Sequence, residues 1–206
     1  LNHLKNNLGI NGVIKVSLHE PLTNLRKIVF VQMEREAPST EIWRALYGCA
    51  ALQSGVGKFI IAINDDIDPE NGDAVFWAMG YRCNPAIDCH ILDNRSHGQG
   101  PRVPRSVSED SALLIDATMK GPLPPLALPK KEYMENALGL WERLGLPSLK
   151  PESPWHGYTL GDWSDNWDQA AKRAADGHYL KNGEITKQRI TTNSLPETPI
   201  RSDESD

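Results

Sequence analysis

FIIAINDDID, residues Phe59–Asp68, carries five apolar residues in its first six positions and three carboxylates, Asp65, Asp66 and Asp68, in the next four. The apolar run reads as a buried strand, and the acids fall where that strand meets a loop. In open α/β sheets, ligands sit beyond the carboxyl ends of the strands. The stretch therefore sets both the fold class and the first place to look for chemistry.

Upstream, Gly12–His19 alternates with a period of two and reads as a half-buried strand, and Leu25–Met33 as a second strand rich in branched and aromatic types. Pro21 and Asn24 mark the turn between them, and residues 1–9 suit a short helix stopped by Gly9. Pro38–Glu41 opens a helix with Ser39 as its N-cap and Ile42, Leu46, Cys49 and Ala50 on one face. Downstream come a helix near 72–82, a strand over Asp88–Leu92 and another over Ala112–Ile115. Strands alternating with helices predict an α/β fold, with a mainly parallel sheet flanked by helices.

After Thr118 the character changes. The proline-rich Gly121–Pro129 reads as a surface loop. A helix follows with Tyr133, Met134, Ala137, Leu138, Trp141 and Leu144 on one face, stopped by Gly145 and Pro147. A loop over Pro151–Gly161 leads to a last helix from Asp162, with Trp163, Trp167, Ala170, Ala171 and Ala174 as its buried stripe. This gives a C-terminal helical extension to one domain over 1–189, then a polar tail over 190–206.

Composition narrows the function classes. The 206 residues suffice for a sizeable core, with 39% hydrophobic and 24% charged residues. A net charge of −5 without a basic block argues against nucleic acid. No apolar run is long enough for a membrane span and no signal peptide is recognisable. Cys49, Cys83 and Cys89 include no C-x-x-C pair, which suits reduced thiols in the cytoplasm rather than a disulfide framework or structural zinc. The chain begins at Leu1 in what reads as mid-domain sequence, as a fragment or processed chain would.

The acids admit three readings. Asp66-Ile-Asp68 could hold a hard cation, or serve a phosphotransferase with Asp66 as nucleophile and Asp68 as acid/base. That phosphotransferase pattern wants Thr or Val where Glu70 stands, and an EF-hand wants Gly and Glu where Asn71 and Trp77 stand. The third reading is structural: Asp68 or Asn71 caps the following helix, and Arg82 at its end pairs with an acid. Elsewhere, NRSHGQGP, Asn94–Pro101, offers His97, two glycines, Arg95 and the adjoining Arg102 as a ligand loop. His90 reads as a core-edge residue, His156 as loop packing, and the tryptophans of the late helices as packing. No G-x-S-x-G elbow or P-loop is present.

Taken together, Asp65-Asp66-Ile67-Asp68, then Trp77-Ala78, Arg82 and Pro85, the strand CHIL, the loop SHGQG and Leu113–Thr118, LLIDAT, resemble the UbiD-type decarboxylases in order. The resemblance covers about residues 10–180 and implies a reversible, non-oxidative decarboxylase or carboxylase of aromatic or conjugated carboxylic acids. It implies prenylated FMN with a divalent metal and a monovalent cation as cofactors. In that family an N-terminal β-domain binds the cofactor and supplies the acid/base residues, and no segment of this chain resembles it. The expectation is therefore a C-terminal domain alone, with no catalytic or metal residue of its own. It would act with an N-terminal cofactor-binding domain or subunit, line part of the substrate pocket and form a homo-oligomer. The matching pocket positions are Leu92, Asn94 and His97. Arg44 or Lys58 would approach the cofactor phosphate. Asp65, Asp66, Asp68 and Arg82 become the structural signature. The alternatives are a non-catalytic oligomerisation or binding domain and, less favoured, an Asp-dependent phosphotransferase.

Overall fold

The structure, a computed structural model, describes residues 1–19, 26–53, 55–98, 110–121, 129, 131–150 and 165–192, with side chains described as far as 188. The expected turn at Pro21 and Asn24, most of the proline-rich loop, the loop with His156, Trp163, residues 99–102 and the tail beyond 192 lie outside these residues. The chain forms two compact units, Leu1–Asp162 and Trp163–Asp206.

The first unit contains β1 (Val13–Leu18), β2 (Ile28–Met33), α1 (Ser39–Leu52), β3 (Phe59–Asn64), α2 (Gly72–Arg82), β4 (Cys89–Arg95), β5 (Asp110–Asp116) and α3 (Lys131–Arg143), preceded by a short helical turn, His3–Asn7. The five strands form one sheet in the order β1-β2-β3-β5-β4. The three central strands, β2, β3 and β5, run parallel, and the edges β1 and β4 pair antiparallel. The expected parallel sheet is thus its centre.

Side-chain alternation explains the layering. On one face Val29, Val31, Ile60, Ala62 and Leu114 pack with Ile42, Ala45, Leu46 and Cys49 of α1 and with Leu4. On the other, Phe30, Ile61, Ile63 and Ile115 pack with Ala74, Val75 and Ala78 of α2. Successive residues of a strand point to opposite faces, so a strand covered on both sides must be apolar throughout. Ile60, Ile61, Ala62 and Ile63 are all buried, which is why FIIAI shows no polar alternation.

Caps set the helix starts. The expected Ser39 cap is displaced by one residue: Pro38 occupies the cap position in extended conformation, and its carbonyl accepts from the amides of Glu41 and Ile42. Proline fits a helix entrance because its fixed φ and missing N–H cost nothing there. The side chain of Glu41 instead accepts from the Gly12 amide at 3.0 Å, tying α1 to the start of β1. At α2, Asn71 rather than Asp68 is the cap, accepting from the Ala74 amide at 3.2 Å.

α3 begins at Lys131 and none of its residues is buried; its expected apolar face is largely open, with Tyr133, Ala137, Trp141 and Leu144 exposed and Met134 and Leu138 half-buried. The second unit contains α4 (Asp165–Ala175) and α5 (Tyr179–Thr192). Within α4 the expected stripe is not buried: Trp167 and Ala170 are half-buried, and Ala171 and Ala174 are exposed. Gly177, at φ +84°, turns the chain as expected of the helix stop. α5 follows it at once and takes in residues 190–192, expected as tail; no apolar periodicity in its polar sequence marks it. Asn182 joins the two helices, donating to the Ala170 carbonyl at 2.6 Å and accepting from Arg173 Nε at 2.8 Å.

Asn71→Ala removes the cap of α2 and is expected to lower stability by about 1 kcal/mol, read as a shift of the urea midpoint with the slope unchanged.

Candidate functional site

The acids on one hand, and Lys58 and His97 on the other, fall at two opposite ends of the sheet. The acids follow the carboxyl end of β3. Lys58 precedes its amino end, and because β4 runs antiparallel to β5, with Arg95 opposite Asp110, the loop carrying His97 lies at that amino end too.

At the carboxyl end, Asp66 and Arg82 form a two-pronged pair, with Nη1 donating to Oδ1 at 2.9 Å and Nη2 to Oδ2 at 2.6 Å. Both side chains are buried, 6% and 0% exposed. The Arg82 guanidinium also lies 5.0 Å from the Trp77 ring centre, a cation–π contact that dehydration strengthens. The Arg82 carbonyl accepts from Lys120 Nζ at 3.0 Å. Asp66 is approached from the open side by Arg35 at 3.4 Å, and Arg35 also reaches the exposed Asp65 at 3.8 Å. Asp68 Oδ1 accepts from the Glu70 amide at 2.9 Å, a local turn that leads into Asn71. So Asp66 meets Arg82, Asp65 meets Arg35, and Asp68 meets backbone.

Glu70, where a phosphotransferase wants Thr or Val, accepts from Ser17 Oγ at 2.7 Å and Lys15 Nζ at 3.1 Å. The hydrogen bond from Ser17, then that from Lys15, hold its carboxyl below the usual carboxylate range. Behind the acids, Asp116 at the end of β5 accepts from the amide and hydroxyl of Thr118 at 2.9 and 2.6 Å, and Lys120 lies 3.2 Å from it. Asn64 accepts from the Met119 amide at 2.6 Å, stitching the ends of β3 and β5 together. Arg35 and Asn64 escape sequence reasoning, since their partners are distant in the chain, and Lys120 joins its near neighbour Asp116 to the distant Arg82 carbonyl.

At the amino end an open depression is lined by Lys27, Gly55, Val56, Gly57, Lys58, Arg95, Ser96, Asp110 and Ser111. Lys58 donates to both Asp110 oxygens, at 2.9 and 3.1 Å, and His97 Nδ1 stands 3.5 Å from the same carboxylate. The Lys58 hydrogen bond is the main reason the Asp110 carboxyl lies below its usual range. Arg95 donates to the carbonyls of Ala50 and Val56 at 2.6 and 2.9 Å, and burial pushes its guanidinium below the usual value. Lys27 Nζ bridges the carbonyls of His97 and Gly55 at 2.7 and 3.2 Å. Gly55 and Gly98 stack backbone on backbone, so a Cβ on either would come within 2.6 Å of the other's Cα. Gly98, at φ +68°, needs glycine on conformational grounds as well.

Of the expected pocket and cofactor-phosphate residues, then, His97 and Lys58 meet around Asp110. Leu92 packs half-buried against the α1-side core. Asn94 is exposed in the bulge between Leu92 and Arg95, at φ +58°. Arg44 lies elsewhere, donating to the Leu8 carbonyl at 2.5 Å. His90 stacks on Trp43 at 3.9 Å and meets the Tyr47 hydroxyl at 2.8 Å, on the α1 surface. Among the described residues, no group of three or more His, Cys, Asp or Glu side chains is placed to hold a metal ion.

Fold and acid–arginine clamp define the class, a mixed-sheet α/β domain with its central strands parallel. The C-terminal domain of 3-octaprenyl-4-hydroxybenzoate carboxy-lyase, UbiD, matches residues 1–117, and the chain belongs to this family. Among solved structures it is similar to a 3,4-dihydroxybenzoic acid decarboxylase from Enterobacter cloacae, at 17% identity and TM-score 0.52, covering 66% of this chain and 31% of that one. It is similar also to the closed form of vanillic acid decarboxylase from Sedimentibacter hydroxybenzoicus, at 21% identity and TM-score 0.50, covering 69% of this chain and 30% of that one. A third is the UbiD-class enzyme HmfF from Pelotomaculum thermopropionicum in complex with FMN, at 22% identity and TM-score 0.48, covering 60% of this chain and 26% of that one. The chain thus spans less than a third of the length of these structures. No curated protein matches it.

Asp66→Ala strands a buried guanidinium and is expected to cost about 3–5 kcal/mol, whereas exchanging Asp66 and Arg82 together for apolar residues recovers much of that loss; urea denaturation of the single and double variants reads both. Asp110→Asn is expected to cost no more than about 1 kcal/mol near neutral pH, because Lys58 is partly solvated. The depressed Asp110 carboxyl contributes stability above its unfolded value, so this difference closes as pH falls below about 3.9 and through the depressed folded value. Denaturation of both proteins across that range checks it.

Proposed function

We propose that this chain is the C-terminal, substrate-pocket and oligomerisation part of a reversible, non-oxidative decarboxylase or carboxylase of aromatic or conjugated carboxylic acids. The observation that carries the reading is the UbiD carboxy-lyase match over more than half of the chain. On this reading the flavin, as prenylated FMN with a divalent metal and a monovalent cation, is bound mainly by an N-terminal cofactor-binding domain or a separate subunit. When bound, the prenylated flavin supplies the electron sink for loss or gain of CO2. The described residues do not fit a flavin-and-metal site of their own: no cluster suits the metal, and both expected phosphate partners are engaged, Arg44 on a carbonyl and Lys58 on Asp110.

The chain's own contribution is mechanical. The Asp66–Arg82 clamp fixes where α2 stands against β3, and the Lys27, Arg95 and Gly55–Gly98 contacts fix the loop entering at Ser96. Rigid walls of this kind orient a substrate without touching its reacting atoms. We assign the pocket face to the β4 end, with Leu92, Asn94 and His97 as its residues, and the protein to the cytoplasm as a homo-oligomer. Among the described residues, no helix is long and apolar enough to cross a membrane.

A stand-alone oligomerisation or binding domain is the second reading, in keeping with side chains that, among the described residues, fasten loops and helices to one another. The phosphotransferase is disfavoured by geometry, since both Asp66 oxygens face Arg82 and the side chain is almost wholly buried.

Mixing this chain with a flavin-binding polypeptide co-purified from its native source is expected to give decarboxylation of an aromatic acid that neither component performs alone. If the native chain never associates with such a polypeptide, the decarboxylase reading fails; activity restored on mixing removes the stand-alone reading.

A further inference from the structure

Two of the three cysteines meet in space. Cys83 caps the C-terminus of α2, Cys89 opens β4, and their sulfurs stand 3.8 Å apart, both half-buried. Cys49 lies with the core on the opposite face of the sheet, against α1. The segment between the pair is already folded back by its own hydrogen bonds. Asp88 Oδ2 accepts from the Asn84 amide at 2.7 Å, the Asn84 carbonyl accepts from the amides of Ile87 and Asp88 at 3.0 and 2.8 Å, and Asn84 Oδ1 accepts from the Ala86 amide at 3.1 Å. A disulfide needs the sulfurs about 1.8 Å closer than they stand, a distance that side-chain rotation and small loop shifts supply.

We propose that Cys83 and Cys89 form a reversible, thiol-exchanged disulfide that fastens the end of α2 to the start of β4. The co-reactant is a low-molecular-weight disulfide such as oxidised glutathione. One cysteine thiolate attacks a glutathione sulfur, forming a mixed disulfide and releasing one glutathione thiolate. The second cysteine thiolate attacks the protein-side sulfur, forming the Cys83–Cys89 bond and releasing the other. The two cysteines lose two electrons and two protons, and the glutathione disulfide gains both. The link sits one residue beyond Arg82, so it braces the clamp on Asp66 without using any group that the proposed decarboxylase role requires.

The surroundings set the pace of the exchange. Burial, then the neighbouring Cys89, push the Cys83 thiol up to about 11; Asp88 adds to the rise, while Lys120, 3.5 Å from Asp88, opposes it. Only the thiolate attacks, so the exchange is expected to be slow near neutrality and to quicken as pH rises.

The test is incubation of the full chain with oxidised glutathione, read by intact mass and by peptide mapping under non-reducing conditions. The expected product is lighter by about 2 Da, contains one Cys83–Cys89 peptide pair and leaves Cys49 free to alkylate after unfolding. Reduction by dithiothreitol reverses it. Cys83→Ser and Cys89→Ser, each expected to stay folded at a half-buried site, should instead retain one glutathione. Wild-type protein that keeps a stable glutathione adduct, stays fully reduced at alkaline pH, or links Cys49 overturns the proposal.

Discussion

The buried ion pair between Asp66 and Arg82 joins the loop at the carboxyl end of β3 to the last turn of α2. Two charges removed from water are tolerable only when each satisfies the other with good geometry; the two-pronged arrangement does that for both Asp66 oxygens and both Arg82 Nη atoms, leaving Nε buried without a partner. Once fixed, the pair sets the pitch of α2 across one face of the sheet. Val75 and Ala78 of that helix then fall on Ile61, Ile63 and Ile115. Lys120 binds the Arg82 carbonyl to the end of β5, so two central strands and a helix meet at one residue, Arg82.

Much of this was legible in the chain. FIIAI read as a buried strand because no polar residue breaks it, which holds from Ile60 onward, and α1 declared its inner face through Ile42, Leu46 and Cys49. The Asp66–Arg82 partnership was also within reach, since an acid before a helix and an arginine at its end come together once the helix folds back. Hidden from sequence were contacts made across the sheet: Arg35 with the acids, Asn64 with Met119, and Lys58 with Asp110 over a separation of 52 residues. The half-turn between Cys83 and Cys89 was equally opaque, because the six-residue spacing brings the thiols together only through the hydrogen bonds of Asn84 and Asp88. The late helices misled for another reason. Apolar spacing on α3 and α4 predicts a covered face, and periodicity does not say what covers it.

The two ends of the sheet differ in character. At the carboxyl end the ion pairs are partly sealed and the acids are scaffold. At the amino end Lys27, Arg95 and Lys58 are spent on carbonyls and on Asp110, so they fasten loops. Each end is held by cross-sheet electrostatics, and neither presents an assembled set of reacting groups among the described residues.

The strand order carries a consequence for synthesis. β5 lies between β3 and β4, yet it leaves the ribosome last of the five. Until residues Asp110–Asp116 emerge, the apolar β3 keeps one whole edge of backbone unpaired, and β4 has no central neighbour. Open edges of that kind invite pairing with other chains. Vectorial folding of this domain therefore passes through a vulnerable interval that ends only when its last strand threads into the middle of the sheet.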